Sequence, residues 1–256
     1  MSLNILVTND DGLSAPGIRA LVEIAQEFGK VYVVAPDSPQ SGQGHAITLE
    51  HPLRLKEQRI FGPDIPAYAC SGTPVDCVKL AKHVLLKNED IDLCISGINH
   101  GSNASINIIY SGTMSAAMEA SVEGIPSIGF SLLDYSIDAD FSAAKIYARK
   151  IIGQVLEQGL QETLLLNVNI PKLPADAIKG IKVCHQAEGH WAEDFLENTD
   201  PMGRTYYWLT GKFTLAKEDE NADVCALENG YVSVVPSMHD LTAYPALDHL
   251  KFLEDV

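Results

Sequence analysis

Positive charge is scarce in this 256-residue sequence: 18 lysines and arginines stand against 34 aspartates and glutamates, a net charge of −16. A field of that sign repels polyanions, which excludes a protein that tracks along a nucleic-acid polymer. A small anionic substrate would need local positive charge, supplied by a metal ion or by backbone N–H groups. Also missing is any apolar run near the roughly 20 residues of a membrane span, so no membrane partner is expected. The N-terminus lacks the basic and long apolar segments of a signal peptide, and a cytoplasmic protein is expected. Cysteine is sparse and odd in number, with five residues and no C-x-x-C pair. That argues against a disulfide framework or a zinc cluster and fits a reducing compartment.

Several catalytic signatures are absent too. Without G-x-x-x-x-G-K-[ST] there is no P-loop, and no G-x-G-x-x-G follows the first strand to cradle a dinucleotide. No G-x-S-x-G turn presents a nucleophilic serine. Asp10-Asp11 is not the D-x-D spacing of an aspartyl nucleophile with its acid.

What the chain does have is apolar residues (46%) in an alternating strand–helix rhythm. "NILVTND" reads as a strand. Ile18, Leu21, Val22, Ala25 and Phe28 then recur at helical spacing, with Gly29 able to close the helix. "KVYVVAP" is a second strand, followed by a polar, glycine-rich loop over 37–45 and an extended segment or arm from Ala46 to Gln58. After the short strand "AYACSGT", Thr73 and Pro74 are placed to cap and open a helix. "IDLCISGIN", "PSIGFSL" and "TLLLNVNIP" are further strands, with helices over 114–124 and 141–158 between them. Strands alternating with helices imply a doubly wound, mainly parallel α/β sheet. Beyond Pro174, "TYYWLTGKF" and "GYVSVVPS" read as an antiparallel extension, and the tail from Tyr244 as a short helix. No repeat or linker divides the chain, so residues 1–256 are expected to form one domain.

Ligands of open parallel sheets bind at the carboxyl ends of the strands. There stand Asn9, Asp10, Asp11 and Gly12, then Asp37, Ser38, Ser41 and Gly42, then Asn99, His100 and Asn103. Adjacent carboxylates are costly unless a cation lies between them, and hard oxygen donors favour Mg2+ or Mn2+ over zinc. Asp-Asp-Gly is also an ordinary solvated turn; Ser41 and Asn99 at the same edge tip the reading towards a metal. Ser111-Gly112-Thr113 opens a small-residue helix whose free N–H groups suit a phosphate, although on spacing alone it is an ordinary N-cap. Among the scattered histidines, His45 and His100 lie in loops of this edge.

Five motifs in order, "ILVTNDDG", "APDSPQSGQGHAIT", "SGTPVDCV", "SGINHGSN" and "YSGTMSAAMEA", resemble the SurE survival-protein family of metal-dependent nucleotidases. "LNVNIP", "GRTYYWL" and "DLTAY" are similar to its weaker C-terminal signatures. The resemblance implies a Rossmann-like fold whose core with the metal site spans roughly 1–135, residues 136–256 completing the fold and supplying a hairpin and C-terminal elements for a homodimer or homotetramer. It implies a 5′-nucleotidase that hydrolyses nucleoside 5′- and 3′-monophosphates by water attack, with one divalent metal ion per subunit. The implied metal ligands are Asp10, Asp11, Ser41 and Asn99. The aspartates and Asn99 would act on the water and phosphate, and Asn9, Gly42, Asn99, Ser111, Gly112 and Thr113 would border the phosphate. A polyphosphate hydrolase or a non-catalytic nucleotide-binding protein would share these residues. Where members usually carry a Thr-Arg pair after "LNVNIP", this chain reads "KVCHQAEGHW", so no contact from that arginine carries over.

Overall fold

The first strand, β1 (Leu3–Thr8), is buried from Ile5 onward, and its side chains alternate between two separate clusters. Ile5 and Val7 join Ile18, Leu21, Tyr147 and Ile151 on one face. Leu6 joins Cys77, Val78, Ala116 and Ala120 on the other. A strand covered on both faces has no polar side to show, hence its continuous apolar run. The structure is a computed structural model that describes residues 3–160 and 165–255.

Eight further strands build on β1: β2 (Gly29–Pro36), β3 (Leu55–Gln58), β4 (Ala67–Cys70), β5 (Leu93–His100), β6 (Ser127–Leu132), β7 (Leu165–Ile170), β8 (Ile181–Val183) and β11 (Val232–Ser237). Their order is β3-β4-β2-β1-β5-β6-β7-β11-β8. Pairing is parallel except where β3 meets β4 and β11 meets β7. Helices α1 (Pro16–Ala25) and α4 (Ser142–Gln158) cover the Ile5 face, and α2 (Pro74–Leu80) and α3 (Gly112–Val122) the Leu6 face. The doubly wound layer read from the sequence is the architecture observed. Strands β9 (Gly189–Thr199) and β10 (Thr205–Leu215) form a separate antiparallel ribbon, and α5 (Asp223–Glu228) precedes β11.

Local chemistry sets the boundaries. Thr73 and Asp76 make a reciprocal capping box at α2, each side chain accepting the other's backbone N–H, with Pro74 in the first turn. Gly124, at φ +75°, follows α3 as expected of a closing glycine. Gly29 does not close α1; the helix ends at Ala25, and Gly29 opens β2 opposite Leu3. The extended stretch expected from Ala46 shrinks to Leu55–Gln58, an edge strand. The strand expected from Thr163 is described from Leu165; Thr163 and Leu164 lie outside the described residues. The tail forms 3-10 turns at Tyr244–Ala246 and Asp248–Asp255. No helix among the described residues is long and apolar enough to cross a membrane.

Candidate active site at the β1–β5 edge

From β1 the chain winds outward through β2 and β4, then returns to place β5 on the other flank of β1. The connections leave the sheet in opposite directions there, opening a crevice at the strands' carboxyl ends. Three loops close around it. The Gln40 N–H donates to the Asp10 carbonyl at 2.8 Å, and the Gly44 N–H donates to that of Tyr110 at 3.2 Å. The His100 N–H donates to Asp11 Oδ2 at 3.4 Å. The resulting cleft, of about 210 Å3, is lined by Asp10, Ser41, Gly42, Asn99, His100 and Ser111 among others.

After Thr8 the backbone breaks at Gly12, at φ +96°, a conformation that suits glycine. Asn9 braces the break: Nδ2 donates to the Gly12 carbonyl at 3.0 Å, and Oδ1 accepts the Gly12 N–H at 3.2 Å. Only 1% exposed, Asn9 stands behind the cleft rather than in it. Asp10 reaches in, nearly buried, with Oδ1 accepting the Thr113 hydroxyl. Asp11 is half-buried beside the cleft. A register shift in β5 between Ser96 and Asn99 re-aims Asn99. Asn99 Nδ2 donates to the carbonyls of His100 (3.3 Å) and Gly101 (3.0 Å), while Oδ1 accepts nothing from the described residues.

The start of α3 is organised around Asp10. Ser111 caps the helix, its Oγ accepting the Met114 N–H at 3.0 Å. Thr113 is fully buried, and its hydroxyl and N–H both serve the Asp10 carboxylate. The anion seated on this helix N-terminus is therefore a side chain of the protein. Burial pushes the Asp10 carboxyl up to about 6; the neighbouring charge of Asp11 adds to this, and the Thr113 hydrogen bonds oppose it. Burial also raises Asp11, against the pull of His100.

The donors suit a hard divalent cation. Two carboxylates lie side by side without a lysine or arginine partner among the described residues. An unengaged amide oxygen (Asn99) and a hydroxyl (Ser41) line the same cleft. No group of three or more His, Cys, Asp or Glu side chains among the described residues could hold a metal. An ion here would rely on neutral oxygens beside the aspartates, the chemistry of Mg2+ or Mn2+ rather than zinc.

The family model described as "Survival protein SurE" matches residues 5–193. This chain belongs to the SurE family. It is 59% identical over 248 residues to the "5′-nucleotidase SurE" of Christiangramia forsetii, covering 96% of this chain and 95% of that one. To the protein of the same name from Flavobacterium psychrophilum it is 56% identical over 247 residues, 96% of each chain. The crystal structure of the SurE protein from Aquifex aeolicus superposes with a TM-score of 0.84 at 42% identity, covering 98% of this chain and all of that one.

Within this SurE chain, sequence reasoning missed Asn107, Tyr110, Tyr135 and Trp191, which also line the cleft. Trp191 comes from the β9–β10 ribbon, and its indole N–H donates to Asn107 Oδ1 at 2.8 Å. No local spacing predicts a contact across 84 residues. The "LNVNIP" signature has a structural purpose. Asn169 Nδ2 donates to Asn167 Oδ1 (2.9 Å), while Asn169 Oδ1 accepts the Asn103 N–H and Asn167 Nδ2 donates to the Asn103 carbonyl, each at 2.8 Å. Two asparagines two residues apart on a fully buried strand signal such a shared polar chain. His45 stands back from the cleft, its Nε2 bonded to Glu119 at 2.8 Å.

Proposed function

We propose that this chain is a metal-dependent 5′-nucleotidase, hydrolysing nucleoside 5′- and 3′-monophosphates to nucleoside and inorganic phosphate. The observation that carries this reading is the buried Asp10 beside Asp11 at the β1–β5 crevice, in a chain 56–59% identical to proteins named 5′-nucleotidase. One Mg2+ or Mn2+ per subunit would be held by Asp10, Asp11, Ser41 and Asn99. When bound, the ion would supply positive charge to the phosphoryl oxygens in a cleft that no lysine or arginine lines among the described residues.

The protein's own groups do the rest. Asp11, less buried and held through one oxygen, orients the attacking water and takes its proton, which then passes to the leaving nucleoside oxygen. Asp10 is fixed by Thr113 and keeps the two carboxylates together. Asn99 Oδ1 would help hold the ion, and Gly42 and Ser111 would border the phosphate. Thr113 holds Asp10 by its hydroxyl, Gly112 leaves room for it, and Asn9 braces the following turn at Gly12, a supporting role favoured by their burial and contacts. Residues 1–256 act as one domain in the cytoplasm, roughly 1–135 carrying the metal site and 136–256 completing the fold and supplying the contacts of a homodimer or homotetramer.

Asp10→Asn and Asp11→Asn should each lower metal-dependent phosphate release from 5′-AMP by at least a hundredfold, with unchanged circular dichroism. Near-wild-type turnover in either variant would remove the carboxylate pair from the metal site. A panel of nucleoside monophosphates beside polyphosphate should show the monophosphates preferred.

A further inference from the structure

A second cavity, of about 520 Å3, opens beside the cleft and shares Gly42, Tyr110 and Trp191 with it. Its remaining walls come from the ribbon: Glu193 on β9, and Leu209, Thr210 and Gly211 on β10. We infer that this cavity is the subsite for the substrate's base, a purine stacked on Trp191 and Tyr110 with Glu193 accepting a base N–H; the inference rests on the nucleotidase reading.

Three observations support it. Trp191 and Tyr110 are 41% and 51% exposed, large aromatic faces left open where the two cavities meet. The Trp191 ring is held in place by its bond to Asn107 and by the edge of Phe213, with centroids 6.0 Å apart. A fixed, open indole face binds a flat π system at little entropic cost. Gly211 lies opposite Glu193 in the ribbon register, so no second side chain there crowds the carboxylate. Among the described residues lining this cavity, Glu193 alone is charged. It repels a phosphate but accepts from a purine's amino or ring N–H. Phosphate thus belongs at the Asp10 end and the base at the ribbon end.

The test compares 5′-AMP and 5′-GMP with ribose 5-phosphate, which has the same ester and no base, on the purified full chain with Mn2+. In the wild type, kcat/KM should favour the purine nucleotides by about tenfold or more, the scale of one lost stacking partner. Trp191→Ala should bring this ratio close to one and Trp191→Phe should retain most of it. Glu193→Lys, on the exposed ribbon, should lower it severalfold and reads the same subsite independently of Trp191. A wild-type ratio near one, or Trp191→Ala slowing all three substrates by the same factor, would overturn the subsite while leaving the phosphatase standing. Hydrolysis of none of the three by the wild type would overturn the nucleotidase reading itself.

Discussion

Gly112 has no side chain because Asp10 occupies its space: a Cβ there would lie 2.6 Å from Asp10 Cβ and 2.9 Å from Oδ2. Gly112→Ala must therefore push Asp10 away or lift the start of α3. Overpacking of this kind costs about 1–3 kcal/mol. The variant should melt lower than the wild type and lose at least tenfold in kcat/KM on 5′-AMP, as steady-state kinetics and thermal melts would show. Unaltered kinetics would mean that the position of Asp10 is not critical. The Ser111-Gly112-Thr113 start was legible as a cap and an anion seat. That its anion is Asp10, 103 residues earlier in the chain, was not, because spacing carries no information about which chain segment arrives.

The loop carrying Ser41 has no regular structure of its own and is tied to α3 from outside the cleft. Glu119 of α3 is buried, accepts from His45 at 2.8 Å, and is paired with Lys79 of α2. His45 first, and Lys79 after it, hold the Glu119 carboxyl below its ordinary 4.5. A lowered carboxyl favours the fold above its unfolded value, and that contribution disappears as pH falls through the folded one. Glu119→Gln should thus lower stability by about 1–3 kcal/mol at pH 7, with the gap to wild type narrowing below about pH 4.5. Thermal melts from pH 7 to pH 3.5 would reveal a pH-independent gap if packing alone were responsible.

At this scale the sequence was legible where burial on both faces forced continuous apolar runs, as in β1, β2, β5 and β6. It was not legible in β9, where the strand is solvated on both faces and "HWAEDFLENT" has no period to read. The six-residue α5 is too short for a helical period, and it too escaped.

Across the whole molecule, the proposed function asks a chain of net charge −16 to bring a phosphate into a cleft that includes a buried carboxylate. The proposed cation would reconcile those two facts. The ribbon adds a second tension, since Leu196 and Trp208, directly opposite each other, make an exposed apolar patch on one of its faces, while Phe195 and Tyr207 are exposed on the other. A patch of that kind marks an interaction surface. Light scattering should find a dimer or tetramer, and Leu196→Glu with Trp208→Glu should shift it towards smaller species; a wild-type monomer would contradict the proposed assembly.

The metal requirement itself is tested most directly by phosphate release from 5′-AMP before and after EDTA treatment. The paired aspartates predict release that falls to background in EDTA and returns when Mg2+ or Mn2+ is added in excess. Release that continues undiminished in EDTA would contradict the account.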